Sequence, residues 1–222
     1  ISAGNDSVST LDMLFKKGVK IETPVSSTEK DTPAHIAERE GALLAAAFLY
    51  ENGASGELKN SAGITPLSLK AERRKNTMVR FNELDSSPQI FFNRNRNGDG
   101  VLNIGSHCFH GKESEIQYTP EFLKLPRLHK AVAFSMYDAI DIFTGEGDSP
   151  CVADSNGRSA LDYAFERNES ECAKILIANG AIKNLGDTEK SGYLGKCIAN
   201  NWNSVAKLII KHGVSPLKTG GD

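Results

Sequence analysis

The stretch DTPAHIAEREGALLAAAFLYENGA, Asp31 to Ala54, decides the fold that we predict for this chain. Pro33 stands where a first helix can begin without losing a hydrogen bond, and the Thr32 hydroxyl can cap that helix. A second segment rich in Ala and Leu follows. Gly53 can then take the left-handed conformation that ends a helix. The stretch therefore predicts a helical hairpin closed by a glycine.

The same features return at a fixed interval along the chain. Thr32-Pro33 recurs 33 residues later as Thr65-Pro66. Glycines that close helical patterns also recur 33 residues apart, at Gly147, Gly180 and Gly213. A period of about 33 residues, with Thr-Pro at the front and Gly-Ala at the back, is the signature of ankyrin repeats. The chain resembles an ankyrin repeat protein over most of its length, except for about residues 86–121.

This resemblance implies an all-α ankyrin repeat solenoid, in which stacked hairpins bury a continuous core. We predict a single domain over residues 1–222. It has a partial repeat at 1–27 and five fuller repeats at 28–60, 61–85, 122–154, 155–187 and 188–215. The pattern is weakest in the second repeat, because Asn82 and Glu83 stand where apolar residues are expected. The fifth repeat lacks Thr-Pro and is predicted to be a terminal cap.

About 28 extra residues separate the second and third repeats, and they define an insertion at 86–121. Its apolar segments flank a centre rich in Gly, Asn and Asp at residues 97–100. Such a pattern predicts a loop or a β-hairpin that turns at this centre. A loop of this length in a compact domain is usually functional or mobile.

The insertion also carries two incomplete metal motifs. Asn95, Asn97 and Asp99 resemble part of an EF-hand calcium loop. However, Ser106 stands at the twelfth position, where that loop needs a bidentate Glu. The residues HCFH at 107–110 do not have the spacing of a structural zinc site. We therefore predict a hydrophilic turn, with no metal and no cofactor.

Composition narrows the classes of partner. The formal net charge of the 222 residues is −2, which argues against non-specific binding to nucleic acid or to an anionic membrane. The longest nearly unbroken apolar run, Ala42 to Tyr50, is about half of a membrane-spanning helix. Cys172 and Cys197 fall on helix faces that should be buried. We expect a cytoplasmic monomer that binds neither nucleic acid nor membrane.

The resemblance also implies roles for particular residues. His35 and His129 occupy the histidine position of the ankyrin TPLH motif, where the ring bonds to neighbouring backbone. Trp202 lies at the turn between the two helices of the fifth repeat, where we expect it to cover the core between repeats. No phosphate-binding loop, G-x-S-x-G or H-E-x-x-H motif is present in the sequence. We predict no catalytic residues in this segment.

Ankyrin repeats bind a protein or peptide on a concave groove, through the turn tips and the exposed ends of the first helices. Carried onto this sequence, these positions give the predicted partner-binding residues Arg39, Ile64, Glu72, Arg73, Phe134, Arg158, Glu166, Arg167 and Lys190. Phe134 differs from the others because that position is usually polar. It is either an exposed binding hot spot or a residue that packs against the insertion.

The function that the resemblance implies is a non-catalytic adaptor or docking module. Divergent repeats with an unusual insertion are similar to those of effectors that intracellular bacteria deliver into the host cytosol. The alternative is part of an enzyme whose catalytic site lies in a missing domain or in the 86–121 insertion. Deleting the insertion separates these hypotheses, because loss of partner binding and loss of turnover are different outcomes.

Overall fold

The computed structural model describes residues 7–86, 91–94, 100–104, 107–111 and 124–212. The chain divides into two compact units, Ile1–Met78 and Val79–Asp222, which we call the N-terminal and C-terminal units. The described residues contain ten helices: α1 Ser7–Lys16, α2 Pro33–Arg39, α3 Leu43–Glu51, α4 Pro66–Ser86, α5 Arg127–Ala133, α6 Tyr137–Gly145, α7 Ala160–Glu166, α8 Ser170–Ala178, α9 Asp187–Ala199 and α10 Asn203–Lys211. The prediction of helical hairpin repeats is confirmed, whereas the single domain and the repeat boundaries stay predictions.

The N-terminal unit is built on the α2–α3 hairpin. Pro33 is the first residue of α2 and follows Thr32, as the sequence predicted. Small residues on the facing sides of α2 and α3, including Ala37 and Ala45, let the two helices approach closely and bury Leu49. Leu11 of α1 packs against the same cluster, so α1 acts as the second helix of the partial repeat.

A residue with positive φ turns the chain between the two helices of each hairpin. Four such residues share one repeat position: Gly41 (φ 65°), Ser135 (52°), Asn168 (59°) and Asn201 (58°). Gly and Asn are the residues that adopt this left-handed conformation most readily. The turn between the two helices, which we call the corner, therefore falls at the same repeat position in four repeats.

The second predicted repeat is not a hairpin, and this corrects the sequence analysis. Residues 66–86 form the single 21-residue helix α4. Arg74 stands 33 residues after Gly41, at the corner position. A long side chain disfavours the left-handed conformation there, and Arg is a good helix former, so the helix continues.

The C-terminal unit contains three hairpins, α5–α6, α7–α8 and α9–α10. First helices pack against first helices, as α5 does with α7, and second helices against second helices, as α6 does with α8 and α8 with α10. The core includes the fully buried side chains of Ile140, Leu161 and Ile209. The end of α4 joins this core through Phe81, whose ring meets that of Phe143 edge-on at 4.8 Å.

The fifth repeat begins differently from the others. Helix α9 has 13 residues, against seven in α2, α5 and α7, and it starts at Asp187, where the other repeats have a turn. The Glu189 carboxylate accepts a hydrogen bond from the Gly186 backbone N–H at 2.9 Å. Acidic residues in a first helical turn also interact favourably with the helix dipole, so the sequence starts a helix early.

The predicted β-hairpin in the insertion is confirmed, and it has a third strand. Strands β1 (Phe91–Arg94), β2 (Gly100–Ile104) and β3 (His107–Gly111) form an antiparallel sheet in that order. In the first pair, Phe91 lies opposite Asn103 and Arg94 opposite Gly100. The turn at 95–99, which carries the calcium-like motif, and the side chains of 91–111 lie outside the described part of the chain. The HCFH residues of the second metal motif belong to β3, and only their backbone is described.

Candidate functional site

Two histidines tie the start of one repeat to the turn tip of the next. His35 Nε2 donates to the Ile64 carbonyl at 3.0 Å, and His129 Nε2 donates to the Arg158 carbonyl at 2.9 Å. Both rings are fully buried, and burial is the main cause of the lowered pKa of His129. This confirms the backbone-bonding role implied by the resemblance. The two buried histidines therefore hold the backbone of the turn tips in place.

The tip between α6 and α7 is organised by Asp154. One of its carboxylate oxygens, Oδ1, accepts from the backbone N–H groups of Asn156 and Arg158, both at 2.9 Å. The other, Oδ2, accepts from the Arg158 guanidinium at 2.9 Å and from the Tyr163 hydroxyl at 3.0 Å. We call Asp154, Arg158, Tyr163 and Glu166 the tip cluster.

The electrostatics of the tip cluster favour an ionised Asp154. Burial raises the pKa of this carboxyl group, but the Arg158 backbone N–H and guanidinium oppose it, and so do the N–H of Asn156 and the hydroxyl of Tyr163. Together these bonds hold the pKa of Asp154 far below its usual range. The negative charge fixes the Arg158 side chain, which has an exposed fraction of 39%.

Arg158 is thus a restrained cation at the surface. Its guanidinium lies 4.5 Å from the Tyr163 ring centroid and donates to the Tyr163 hydroxyl at 2.7 Å. It also reaches Glu166 at 3.3 Å, and the Glu166 side chain is 52% exposed. Arg167 adds a second guanidinium 5.9 Å from the Tyr163 ring, and burial lowers its pKa. The structure therefore brings three predicted binding residues, Arg158, Glu166 and Arg167, around one tyrosine.

The surface continues onto the fifth repeat through aromatic packing. Phe165 stacks on Tyr193 at 5.3 Å and on Trp202 at 4.8 Å. Lys196 lies 5.0 Å from the Tyr193 ring centroid, and the Tyr193 hydroxyl donates to Asp162 at 2.9 Å. Trp202 is only 8% exposed, so it covers the core between repeats as predicted.

The predicted residues of the N-terminal unit are dispersed. Arg39 is exposed and forms an ion pair with Asp31 at 2.6 Å, and this contact is the main cause of the lowered pKa of Asp31. Ile64 is 38% exposed, and its carbonyl accepts the hydrogen bond from His35 Nε2. Glu72 is exposed on α4. These side chains do not form a cluster comparable with the one around Tyr163.

For three predicted binding residues, the structure contradicts the expected position at an exposed helix end or a turn tip. Phe134 is 3% exposed and packs edge-on against Phe81 of α4 at 5.9 Å, because its repeat follows a helix rather than a hairpin. Arg73 is mostly buried, since it pairs with the fully buried Glu38 at 2.6 Å. Lys190 belongs to α9, because that helix replaces the expected turn tip.

The sequence analysis missed Asp154, Tyr163, Tyr193 and Lys196 as parts of this surface. A repeat signal for Asp154 does exist. Asn60 stands at the same repeat position, and its Oδ1 accepts from the N–H groups of Ala62 and Ile64, both at 3.0 Å. A short polar side chain with an accepting oxygen at this position therefore marks the two tips. No comparable signal identifies Tyr193 or Lys196.

Other kinds of site can be assessed in the described residues. There, no group of three or more His, Cys, Asp or Glu residues could hold a metal ion. Within the same ranges, no helix is both long and apolar enough to cross a bilayer. Cys172 and Cys197 are buried as predicted, and burial raises the pKa of Cys197 to about 11. Cys151 is exposed.

Comparison with known proteins agrees with this architecture. Residues 128–219, somewhat less than half of the chain, match the family model described as ankyrin repeats (3 copies). The chain is also similar to the ankyrin repeat domain of Bcl-3, a member of the IkappaB protein family. The identity is 20%, the match covers 94% of this chain and 80% of that one, and the TM-score of 0.37 is too low to place any residue. Residues 128–219 therefore carry ankyrin repeats, and ankyrin repeats generally mediate protein–protein interaction.

Proposed function

We propose that the chain is a docking module whose partner, a protein or a peptide, binds the tip cluster of the C-terminal unit together with Arg167. The observation that carries this proposal is the restraint on Arg158. Asp154 and Tyr163 hold its side chain, and His129 holds its carbonyl. A side chain that is fixed before binding loses little entropy on binding.

The chemistry of the tip cluster suits recognition of a polar segment with an aromatic or acidic group. Arg158 offers donors in a rigid fork, and Glu166 next to it offers an acceptor. The guanidinium of the partly buried Arg167 lies 5.9 Å from the Tyr163 ring centroid, and arginine and tyrosine are among the residue types enriched in binding hot spots. The mixed charge would favour one partner orientation over others.

Further parts of the proposal rest on the sequence. We propose that the module acts as a monomeric adaptor in the cytoplasm without binding nucleic acid or membrane, which the net charge of −2 supports. The divergence of the repeats and the insertion support the narrower proposal of an effector that acts in a host cell. Arg39, Ile64 and Glu72 stay proposed contacts on the N-terminal unit.

The proposal is tested by quantitative affinity capture from cell lysate, followed by affinity measurements on the purified partner. The variant is Glu166→Lys, and its matched control is Glu51→Lys, because both side chains are exposed and both changes reverse the same charge. We expect the affinity of the first variant to fall about tenfold, as for a hot-spot loss of about 1–2 kcal/mol. Equal affinities for both variants would remove the tip cluster as the binding site.

A second variant separates binding from folding. Replacing Arg167 by Ala should weaken binding of the partner. The unfolding midpoint of the C-terminal unit is measured in parallel. Loss of binding with an unchanged midpoint supports a contact role. Loss of both in proportion would show that Arg167 acts through the fold and would contradict its place in the interface.

A further inference from the structure

The described residues contain three Asn-Gly pairs in different surroundings: Asn52-Gly53, Asn156-Gly157 and Asn179-Gly180. A fourth pair, at 97–98, lies outside the described residues. An asparagine that precedes glycine can cyclise, because the glycine nitrogen is not shielded by a β-carbon on its own residue. The sequence alone gives the three pairs the same reactivity.

Two of the pairs end helices, and their asparagines are held there. Asn52 is the C-cap of α3, and its Nδ2 donates to the Phe48 carbonyl at 2.8 Å. Asn179 is the C-cap of α8, and its Nδ2 donates to the Ile175 carbonyl at 3.0 Å. Cyclisation of either residue must first break this bond and turn the side chain away from its helix.

Asn156 has no such bond from its side-chain amide to any described residue. It is exposed in the turn of the tip cluster. Its backbone N–H donates to Asp154 Oδ1 at 2.9 Å, so the turn holds the main chain of this exposed residue. Gly157 follows at φ 77°, with open space where a Cβ would stand. The Gly157 N–H donates to the Asp154 carbonyl at 3.1 Å, and the N–H groups of Gly53 and Gly180 make equivalent bonds at 3.1 and 3.0 Å. The pairs therefore differ in the bond of the asparagine side chain and not in the bond of the glycine nitrogen.

We propose that Asn156 is a site of spontaneous succinimide formation in the folded protein. The Gly157 backbone nitrogen attacks Asn156 Cγ, so that a new N–Cγ bond forms while the Cγ–Nδ2 bond breaks. The Nδ2 amide leaves as ammonia with the proton from the attacking nitrogen. Water, the only co-reactant, then opens the ring at either carbonyl and gives aspartate or isoaspartate.

The product changes the tip in two ways. Either product places a new carboxylate two residues from Asp154 and two from Arg158, where it adds negative charge to the tip cluster. Isoaspartate also lengthens the backbone of the turn by one carbon. If the proposed function holds, the modified tip should bind its partner more weakly, but the modification itself is independent of any partner.

The test incubates the intact folded chain at physiological temperature in mildly alkaline buffer and follows all three asparagines by peptide mapping with mass spectrometry. A parallel sample is kept in denaturant. We expect the folded protein to modify Asn156 about tenfold faster than Asn52 or Asn179, since each of these two must first break its helix-end bond and open the end of its helix. In denaturant the three rates should converge.

Two further measurements test the mechanism. Isoaspartate must accumulate at residue 156, because direct hydrolysis of the side chain gives aspartate only. The Asn156→Gln variant should lose the product at that position and keep the slow reaction at Asn179. Equal rates at Asn156 and Asn179 in the folded protein, or aspartate without isoaspartate at 156, would overturn the proposal.

Discussion

Replacing Pro126 by Thr should stabilise the C-terminal unit, because it supplies a missing partner to a buried histidine. In the N-terminal unit, His35 Nδ1 accepts from the Thr32 backbone N–H at 3.1 Å and lies 2.8 Å from the Thr32 hydroxyl. Proline occupies the same position before His129 and has no N–H. His129 Nδ1 is accordingly buried without a hydrogen bond within the described residues.

The expected magnitude follows from three contributions. An unsatisfied buried acceptor costs about 1–3 kcal/mol, and a threonine N-cap contributes about 0.5–2 kcal/mol. Losing proline costs about 0.4–1 kcal/mol through the greater freedom of the unfolded chain. Pro126 has φ −56° and ψ 150°, and Thr32 has φ −81° and ψ 164°, so threonine fits without strain. These contributions sum to a gain of about 0.5–4.6 kcal/mol. The first two overlap, because the threonine N–H and hydroxyl both meet the same Nδ1 atom, so the net gain should lie near the lower end, at about 1 kcal/mol.

The assay is urea unfolding followed by the fluorescence of Trp202, the single tryptophan of the chain, which lies in the C-terminal unit. A gain of 1 kcal/mol should also raise Tm by about 2–4 °C. Pro126→Ala is the control, because it restores the N–H without the hydroxyl and should fall between wild type and Pro126→Thr. A threonine variant no more stable than wild type would refute this account of the orphaned nitrogen.

Three other outcomes follow from the described contacts. Phe81→Ala should lower the free energy of unfolding of the C-terminal unit by about 3–5 kcal/mol, because the buried ring is lost. The control Val79→Ala, at a residue 52% exposed, should change it by no more than about 0.5 kcal/mol. Equal urea midpoints for the two variants would contradict the packing of α4. Asp154→Asn should cost about 2 kcal/mol at neutral pH. Because the folded pKa of Asp154 is lowered, its contribution is complete above the unfolded value of about 3.9 and is lost as pH falls through the folded pKa. The difference in Tm between this variant and wild type should therefore shrink in acid. In native protein at mildly alkaline pH, iodoacetamide should label exposed Cys151 well before buried Cys172, because burial raises the pKa of the Cys172 thiol. Equal labelling of the two cysteines on peptide mapping would contradict this expectation.

The 33-residue period, read from Thr-Pro pairs and closing glycines, predicted the hairpins, the cap of α2 and the histidine links. These features are local, since each depends on a few residues with particular backbone preferences. The break in the second repeat was also readable in principle. Arg74 stands where the other repeats have Gly, Ser or Asn, and a corner at positive φ is costly for a long side chain.

Only the tertiary structure decided which polar and aromatic residues share a surface. The placement of Tyr193 beside Phe165, and of Phe134 beneath Phe81, depends on how one repeat stacks on the next. Burial and charge pairing arise between residues far apart in sequence, as in the ion pair of Arg73 with Glu38. A period predicts where the repeats recur along the chain, but it does not say which neighbour a side chain meets, because that depends on the packing of whole helices.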